Sequence, residues 1–142
     1  MIVSALIAPV LFVRWETQCD AEDVDRIRQQ TEIAHREVGS KLIYVASIPV
    51  GVPPPSAEVR AALRGGTEHA STHCSSMHIV IEGQGLRRAI IRSVSAGLLL
   101  ATRASFSIHT DAREALRAAS ERTPLEVERL LAAALEAGLV EL

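Results

Sequence analysis

Lys41-Leu42-Ile43-Tyr44-Val45-Ala46-Ser47-Ile48-Pro49-Val50 is the stretch on which the fold turns. A strand with one wet face alternates apolar and polar residues, and an amphipathic helix repeats its apolar residues every three or four positions. Leu42 to Ile48 does neither, because apolar side chains fall on both sides of the run with little but Ser47 to interrupt them. That is the pattern of a strand covered on both faces, central in a mainly parallel sheet. The flanking segments must then supply the covering helices and the neighbouring strands.

Upstream, Ile2 to Glu16 is rich in Val, Ile, Leu, Phe and Trp. From Val10 it alternates, with Leu11, Val13 and Trp15 on one side and Phe12, Arg14 and Glu16 on the other. It reads as the first strand, and Pro9, with no N–H to give to a ladder, belongs at a bulge or an exposed edge. Asp20 stands as a helix N-cap with Glu22 and Asp23 in the first turn. Val24, Ile27, Thr31, Ala34 and Val38 share one helical stripe, and Gly39 closes the helix.

Downstream, Pro49, Pro53, Pro54 and Pro55 bracket a stiff connector, and Ser56 caps a second helix whose stripe runs Val59, Leu63, Gly66, Ala70, Cys74 and Met77. The Gly65-Gly66 pair weakens that helix by about 1 kcal/mol per glycine relative to alanine, so it marks a break or a close packing contact. His78 to Gly83 follows as a third strand, Leu86 to Arg103 as a long apolar helix, and Phe106 to His109 as a fourth strand. On the long helix, Leu86, Ala89, Ile90, Ser93, Val94, Gly97 and Ala101 form the side expected to face the sheet, and Arg88, Arg92, Leu99 and Arg103 project from the other. Asp111 caps a fourth helix reaching Arg122, with Glu114 in the capping-box position. Thr123-Pro124-Leu125-Glu126 opens a last helix with proline at its first position and Val127, Leu130, Leu131, Ala134 and Leu135 on one stripe. The result is an α/β domain over residues 1–122, with a mainly parallel four-stranded sheet and alternating helices, followed by an amphipathic C-terminal helix over 123–142.

The 142 residues include 15 Lys and Arg against 17 Asp and Glu, a formal net charge of −2, and 48% of them are hydrophobic. That apolar content excludes intrinsic disorder. The near-neutral charge removes the attraction that non-specific nucleic-acid binding or a polybasic membrane surface needs. Cys19 and Cys74 are too few for a disulfide framework, and reduced thiols are expected. Pro9 interrupts the opening apolar run well short of the ~20 residues of a membrane span. A cytoplasmic protein that binds neither nucleic acid nor membrane is expected.

The order of elements, with Glu82-Gly83-Gln84-Gly85-Leu86 running into Ile90-Ile91-Arg92-Ser93-Val94-Ser95-Ala96-Gly97-Leu98 and then Phe106-Ser107-Ile108-His109-Thr110-Asp111, resembles small bacterial proteins of the STAS-like class. These share the anti-sigma-factor-antagonist fold, and the resemblance covers about residues 2 to 120. In the family, the strand corresponding to His78–Gly83 leads into an Asp-Ser-Ser-Gly-like turn whose serine or threonine a partner kinase phosphorylates. Here that place reads Glu-Gly-Gln-Gly, without a hydroxyl. The resemblance therefore implies a non-enzymatic protein-interaction role without phosphorylation switching at that turn.

Among chemical groups, His69, His73, Cys74 and His78 form the one metal-like cluster, since two histidines four apart share a helix face as zinc sites require. Cys74 belongs to the apolar stripe and His78 to a strand, so neither a metal nor any cofactor is expected. Glu82-Gly83-Gln84-Gly85 has two glycines of a phosphate cradle but no third at dinucleotide-binding spacing and no Gly-Lys-Ser/Thr, which favours turn glycines. Even so, open α/β sheets bind ligands at the carboxyl ends of their strands, where Glu82, Gln84, Arg87 and Thr110 could meet. No serine has an evident base partner, and no catalytic residue is assigned. Cys19, just ahead of a helix cap, is either a thiolate stabilised by the helix N-terminus or a plain loop cysteine.

The expected function is a non-enzymatic regulatory or protein-interaction module. Arg88, Arg92, Leu99 and Arg103 form its partner surface, an apolar anchor ringed by arginines. Val127, Leu130, Leu131, Ala134 and Leu135 form an association or docking stripe that covers either its own domain or a second copy, with a homodimer preferred. The alternative is a small-molecule-binding protein or an enzyme using the strand-end site of Glu82, Gln84, Arg87 and Thr110.

Overall fold

The computed structural model describes residues 1–100 and 102–140, without the Arg87 side chain. Its elements run β1 (Ile2–Ile7), β2 (Val10–Trp15), α1 (Ala21–Val38), β3 (Leu42–Ile48), α2 (Ala57–Ser71), β4 (Cys74–Ile81), α3 (Leu86–Leu99), β5 (Ser105–His109), α4 (Ala112–Ser120) and α5 (Val127–Glu136). The strands form one sheet in the order β1-β2-β3-β4-β5, with β1 antiparallel to β2 and the other pairings parallel. As its unbroken apolar run requires, β3 is central and buried at every position. No helix among the described residues is long and apolar enough to cross a membrane.

The first apolar run is two strands rather than one, which brings the count to five. Ala8 and a cis Pro9 turn the chain back so that Ile7 stands opposite Val10. Neither residue is among the glycine and asparagine signals that mark most two-residue hairpins, so the turn is silent in the sequence.

Local polar groups set the bounds of α1. Asp20 accepts from the Asp23 amide at 2.8 Å, Asp23 accepts from the Asp20 amide at 3.1 Å, and Gly39 at φ 75° returns its N–H to His35. Its buried residues include the predicted Val24, Ile27, Thr31 and Ala34. By contrast, α2 stops short of its apolar pattern. The Ser71 hydroxyl donates to Glu68 O and that of Thr72 to His69 O, which satisfies two carbonyls of the last turn. Cys74 and Met77 therefore belong to β4, which begins ahead of His78. Gly66 marks close packing without a break, for a Cβ there would lie 2.8 Å from Val24 Cγ1.

Each crossover, β2-α1-β3, β3-α2-β4 and β4-α3-β5, steps one strand in the same direction. Right-handed connections stepping one way lay their helices on one face. Thus α1, α2 and α3 pack over Leu11, Val13, Tyr44, Ala46, Met77 and Ile79. The other face, with Val10, Phe12, Ile43 and Val45, is left for whatever follows β5. It is covered by α4, α5 and the Leu139–Val140 segment through Leu116, Ala119, Leu130, Leu131 and Ala134.

In that packing the C-terminal stripe covers its own domain rather than a second copy. Leu130, Leu131 and Ala134 are buried inside their own chain, Val127 is half-buried, and Leu135 alone of the five is exposed. Burying each leucine contributes roughly 1.5–3 kcal/mol, and the sheet's bare face is the nearest surface that supplies it. The helix also starts at Val127, beyond Pro124, with no side-chain cap.

Candidate functional site

At the carboxyl end of β4, Glu82-Gly83-Gln84-Gly85 turns the chain into α3. Gly83 and Gly85 hold φ of 86° and 93°, and a Cβ on Gly83 would lie 2.9 Å from Val50 Cγ2, so the turn depends on glycine. It leaves α3 with neither a side-chain cap nor an acidic residue in its first turn. Beside it lies an open depression of about 650 Å³ lined by Gln84, Arg88, Ala89, Arg92, Thr110 and the two glycines.

Of the four residues expected at the strand ends, Gln84 and Thr110 meet in this depression, and the Arg87 side chain lies outside the described residues. Glu82 is drawn elsewhere. Its Oε1 accepts from Arg14 Nη1 at 3.0 Å, and the buried Arg14 also donates to Ser47 Oγ at 3.2 Å and Leu139 O at 3.4 Å. The Ser47 hydroxyl donates to the same carbonyl at 2.5 Å. Glu82 and Arg14 thus tie the ends of β2, β3 and β4 to the segment after α5, and Glu82 offers no free carboxylate to a ligand. Arg14, a plain strand residue by its sequence pattern, is the centre of this network.

The long helix is turned part-way round from its predicted orientation. Ile91 and Ser95 are buried, Arg88, Val94 and Leu98 half-buried, while Leu86, Ala89, Ile90, Ser93 and Ala96 are exposed. Gly97 is half-buried, and Ala101, assigned to the same stripe, lies outside the described residues. Because this helix is apolar nearly all round, its sequence offers two stripes of similar quality, and periodicity alone does not choose between them. The observed choice half-buries the aliphatic stem of Arg88, whose Nε donates to Ile81 O at 3.4 Å.

The predicted row Arg88, Arg92, Leu99 and Arg103 is broken accordingly. Arg92 and Leu99 remain exposed on α3, Arg88 turns inward, and Arg103 lies beyond the helix. There the Thr102 hydroxyl donates to Ala104 O and the Arg103 amide to Ser71 Oγ, which ends the helical run before Arg103.

On the opposite face of the sheet lies a constellation that the sequence reading missed. Ser76 Oγ is 3.0 Å from His78 Nε2, and Ser107 Oγ is 2.8 Å from His78 Nδ1 and 2.7 Å from His109 Nε2. His109 Nδ1 then meets Glu114 Oε1 at 3.4 Å. Ser107 does have base partners, two of them. Carboxylate, imidazole and hydroxyl follow one another as in a nucleophilic triad, but here the hydroxyl is engaged by imidazoles on two sides. The chain works as a relay that satisfies buried polar groups in register, with His78 paired to Ser107 across the ladder. Burial, followed by the charges of His109 and Arg122, pushes the His78 imidazole down to about 4. The signal was a repeated Ser-x-His, Ser76-Met77-His78 and Ser107-Ile108-His109, each placing both polar residues on one strand face.

The metal-like cluster is dispersed. His69 and His73 rings lie 5.2 Å apart and His69 Nε2 is 2.9 Å from Glu32 Oε1, whereas Cys74 is in the core and His78 in the relay. Cys19 is buried, and burial, with Asp23 and Asp20 nearby, pushes its thiol up to about 12. It is therefore held as the protonated thiol, contrary to a helix-stabilised thiolate. Cys74, also buried and free, is pushed up to about 12 by desolvation.

Comparison with known proteins gives no match among family models, curated proteins or solved structures.

Proposed function

We propose that this chain is a non-enzymatic, cytoplasmic interaction module of STAS-like architecture, and that it docks another protein on the outer face of α3. The element order over residues 2–120 supports the architecture, and two free buried cysteines suit a reducing compartment. One observation carries the docking. The outward side of α3 and its C-cap expose Leu86 at 77%, Leu100 at 81% and Ile90 at 37%, with the small residues Ala89, Ser93 and Ala96 among them. Residues 83–110 hold Arg87, Arg88, Arg92 and Arg103 and no acidic residue, a local +4 in a chain of net −2.

The complementary surface is apolar with an acidic rim. Stacking this face on a second copy would oppose like charges, so a different protein is the partner. Capture from cell extract, identification and reconstitution from purified components tests the reading. A salt-sensitive complex weakened at least tenfold by Leu86→Asp and by Arg92→Glu is expected. A reconstituted complex indifferent to both variants, or dimerisation of the chain alone in light scattering that Leu86→Asp abolishes, would overturn it.

A second reading, small-molecule binding or catalysis at the strand ends, draws on the depression of about 650 Å³, a volume within the range of ligand sites. Calorimetric titration with inorganic phosphate separates the two. Saturable binding lost in both Arg92→Ala and Thr110→Ala would favour the second.

A further inference from the structure

The core between the sheet and α1–α3 contains a narrow cleft of about 60 Å³. Trp15, Ile27, Tyr44, Ile79, Ile91 and Ser95 are among its walls. One water needs roughly 10–15 Å³ measured this way, so the space is several waters large. Water fits it poorly, because a buried water wants two to four polar partners and these walls are mostly hydrocarbon. One wall residue carries an unmet demand. The Trp15 indole Nε1 is shielded from solvent and has no hydrogen-bond partner among the described residues. A buried donor left unpaired is costly, which makes it an attractive anchor for an acceptor brought in from outside.

The cleft has a way in. Its half-buried wall residues include Thr67 on α2 and Val94 and Leu98 on α3, which puts its mouth between these helices. Gly66 and Val24, too close to each other for even a methyl group between them, are also among its walls, so the cleft is narrow where α1 meets α2. We infer that this cleft binds a small, mostly apolar molecule of about five or six heavy atoms with one hydrogen-bond acceptor, which receives the Trp15 Nε1–H. The site is separate from both the outer face of α3 and the strand-end depression, and it stands whether or not the docking reading holds.

Trp15 is the one tryptophan, so ¹⁵N-labelled protein gives a single indole N–H resonance. Cyclopentanone and cyclopentane are matched probes, with and without the acceptor. Cyclopentanone should move that resonance downfield and saturate, and cyclopentane should bind at least fivefold more weakly without the downfield shift. Ser95→Leu, which fills the cleft with a good helix former, should abolish both effects while the melting temperature stays level or rises. Should that variant fold poorly, Thr67→Leu at the half-exposed mouth serves the same purpose. The inference is overturned if cyclopentanone gives no saturable shift, if ketone and hydrocarbon bind alike, or if a folded filled variant still responds as the wild type does.

Discussion

The two faces of the sheet are finished in different ways. Beneath α4 and α5, Phe12, Leu116, Leu130 and Leu139 are among the most fully buried side chains, and the polar groups inserted among them are answered in networks. Beneath α1–α3 there is a cleft, and among the described residues the Trp15 donor goes unanswered. The difference follows from topology. Three crossover helices must each span from strand to strand and lie where their connections allow, whereas α4 and α5 come after the sheet is complete and settle into what remains. The later elements seal the fold, and the earlier ones keep the space in which something can bind.

The largest effect should come from opening the sealed face. Leu130→Ala leaves a cavity in the cluster that holds Phe12 and Ile43 and should cost about 2–5 kcal/mol. Truncation after Arg122 removes α5 and the Leu139 carbonyl that Arg14 and Ser47 share, leaving α4 alone over that face, and it should abolish the cooperative transition in thermal circular dichroism. A truncated chain that still melts cooperatively near the wild-type temperature would show that α5 is an appendage.

The next contrast sits within α2. At Gly66 an added methyl meets Val24, so Gly66→Ala should destabilise by about 1–3 kcal/mol, and Val24→Ala in the same chain should recover part of the loss. At Gly65 nothing lies within 4 Å, and Gly65→Ala should stabilise by up to about 1 kcal/mol. Chemical denaturation of the three variants decides it, and equal signs at the two glycines would contradict the close approach of α1 to α2.

How much of this was readable depended on the reach of each interaction. The caps of α1 and the burial of β3 are written within a few residues of where they act, and both were legible. The hairpin at Ala8-Pro9 was not, since its turn carries none of the usual residues. Arg14 and Glu82 are 68 positions apart, and His78 meets Ser107 only through the register of β4 with β5. The repeated Ser-x-His was on the page, but nothing local says that the two copies lie on adjacent strands.

The relay gives the sealed face a pH dependence of its own. The His78 folded-state value of about 4 lies below its ordinary 6.5, so the unfolded chain takes up the proton first. Stability owed to neutral His78 is complete above about pH 6.5 and is lost as the pH falls towards 4, by at most about 1.4 kcal/mol per pH unit. His109, Glu114 and Arg122 surround the same relay, so the variant must spare them. Urea unfolding at pH 7, 6 and 5 should show a shallower loss for His78→Gln than for the wild type. Parallel slopes would place the acid sensitivity elsewhere.

The smallest expected effect is the one that fixes the orientation of α3. Leu86 is 77% exposed and Ile91 only 7%, although the apolar pattern alone assigns Leu86 to the core stripe. Leu86→Asp removes little buried area and also places an acid in the first turn, where the helix dipole favours it. Its stability should therefore stay within about 0.5 kcal/mol of the wild type, as for other surface substitutions. Leu99→Asp, at 44% exposure, should behave similarly. Ile91→Asp is the control, since it would bury an unpaired carboxylate against the α1–α3 core and should cost several kcal/mol. If the two ends of that comparison were exchanged, with Leu86→Asp severe and Ile91→Asp mild, α3 would present its other stripe to the sheet. The cleft would lose Ile91 and Ser95 from its wall, and the docking face would lose its apolar centre, so one pair of melting curves bears on both proposals together.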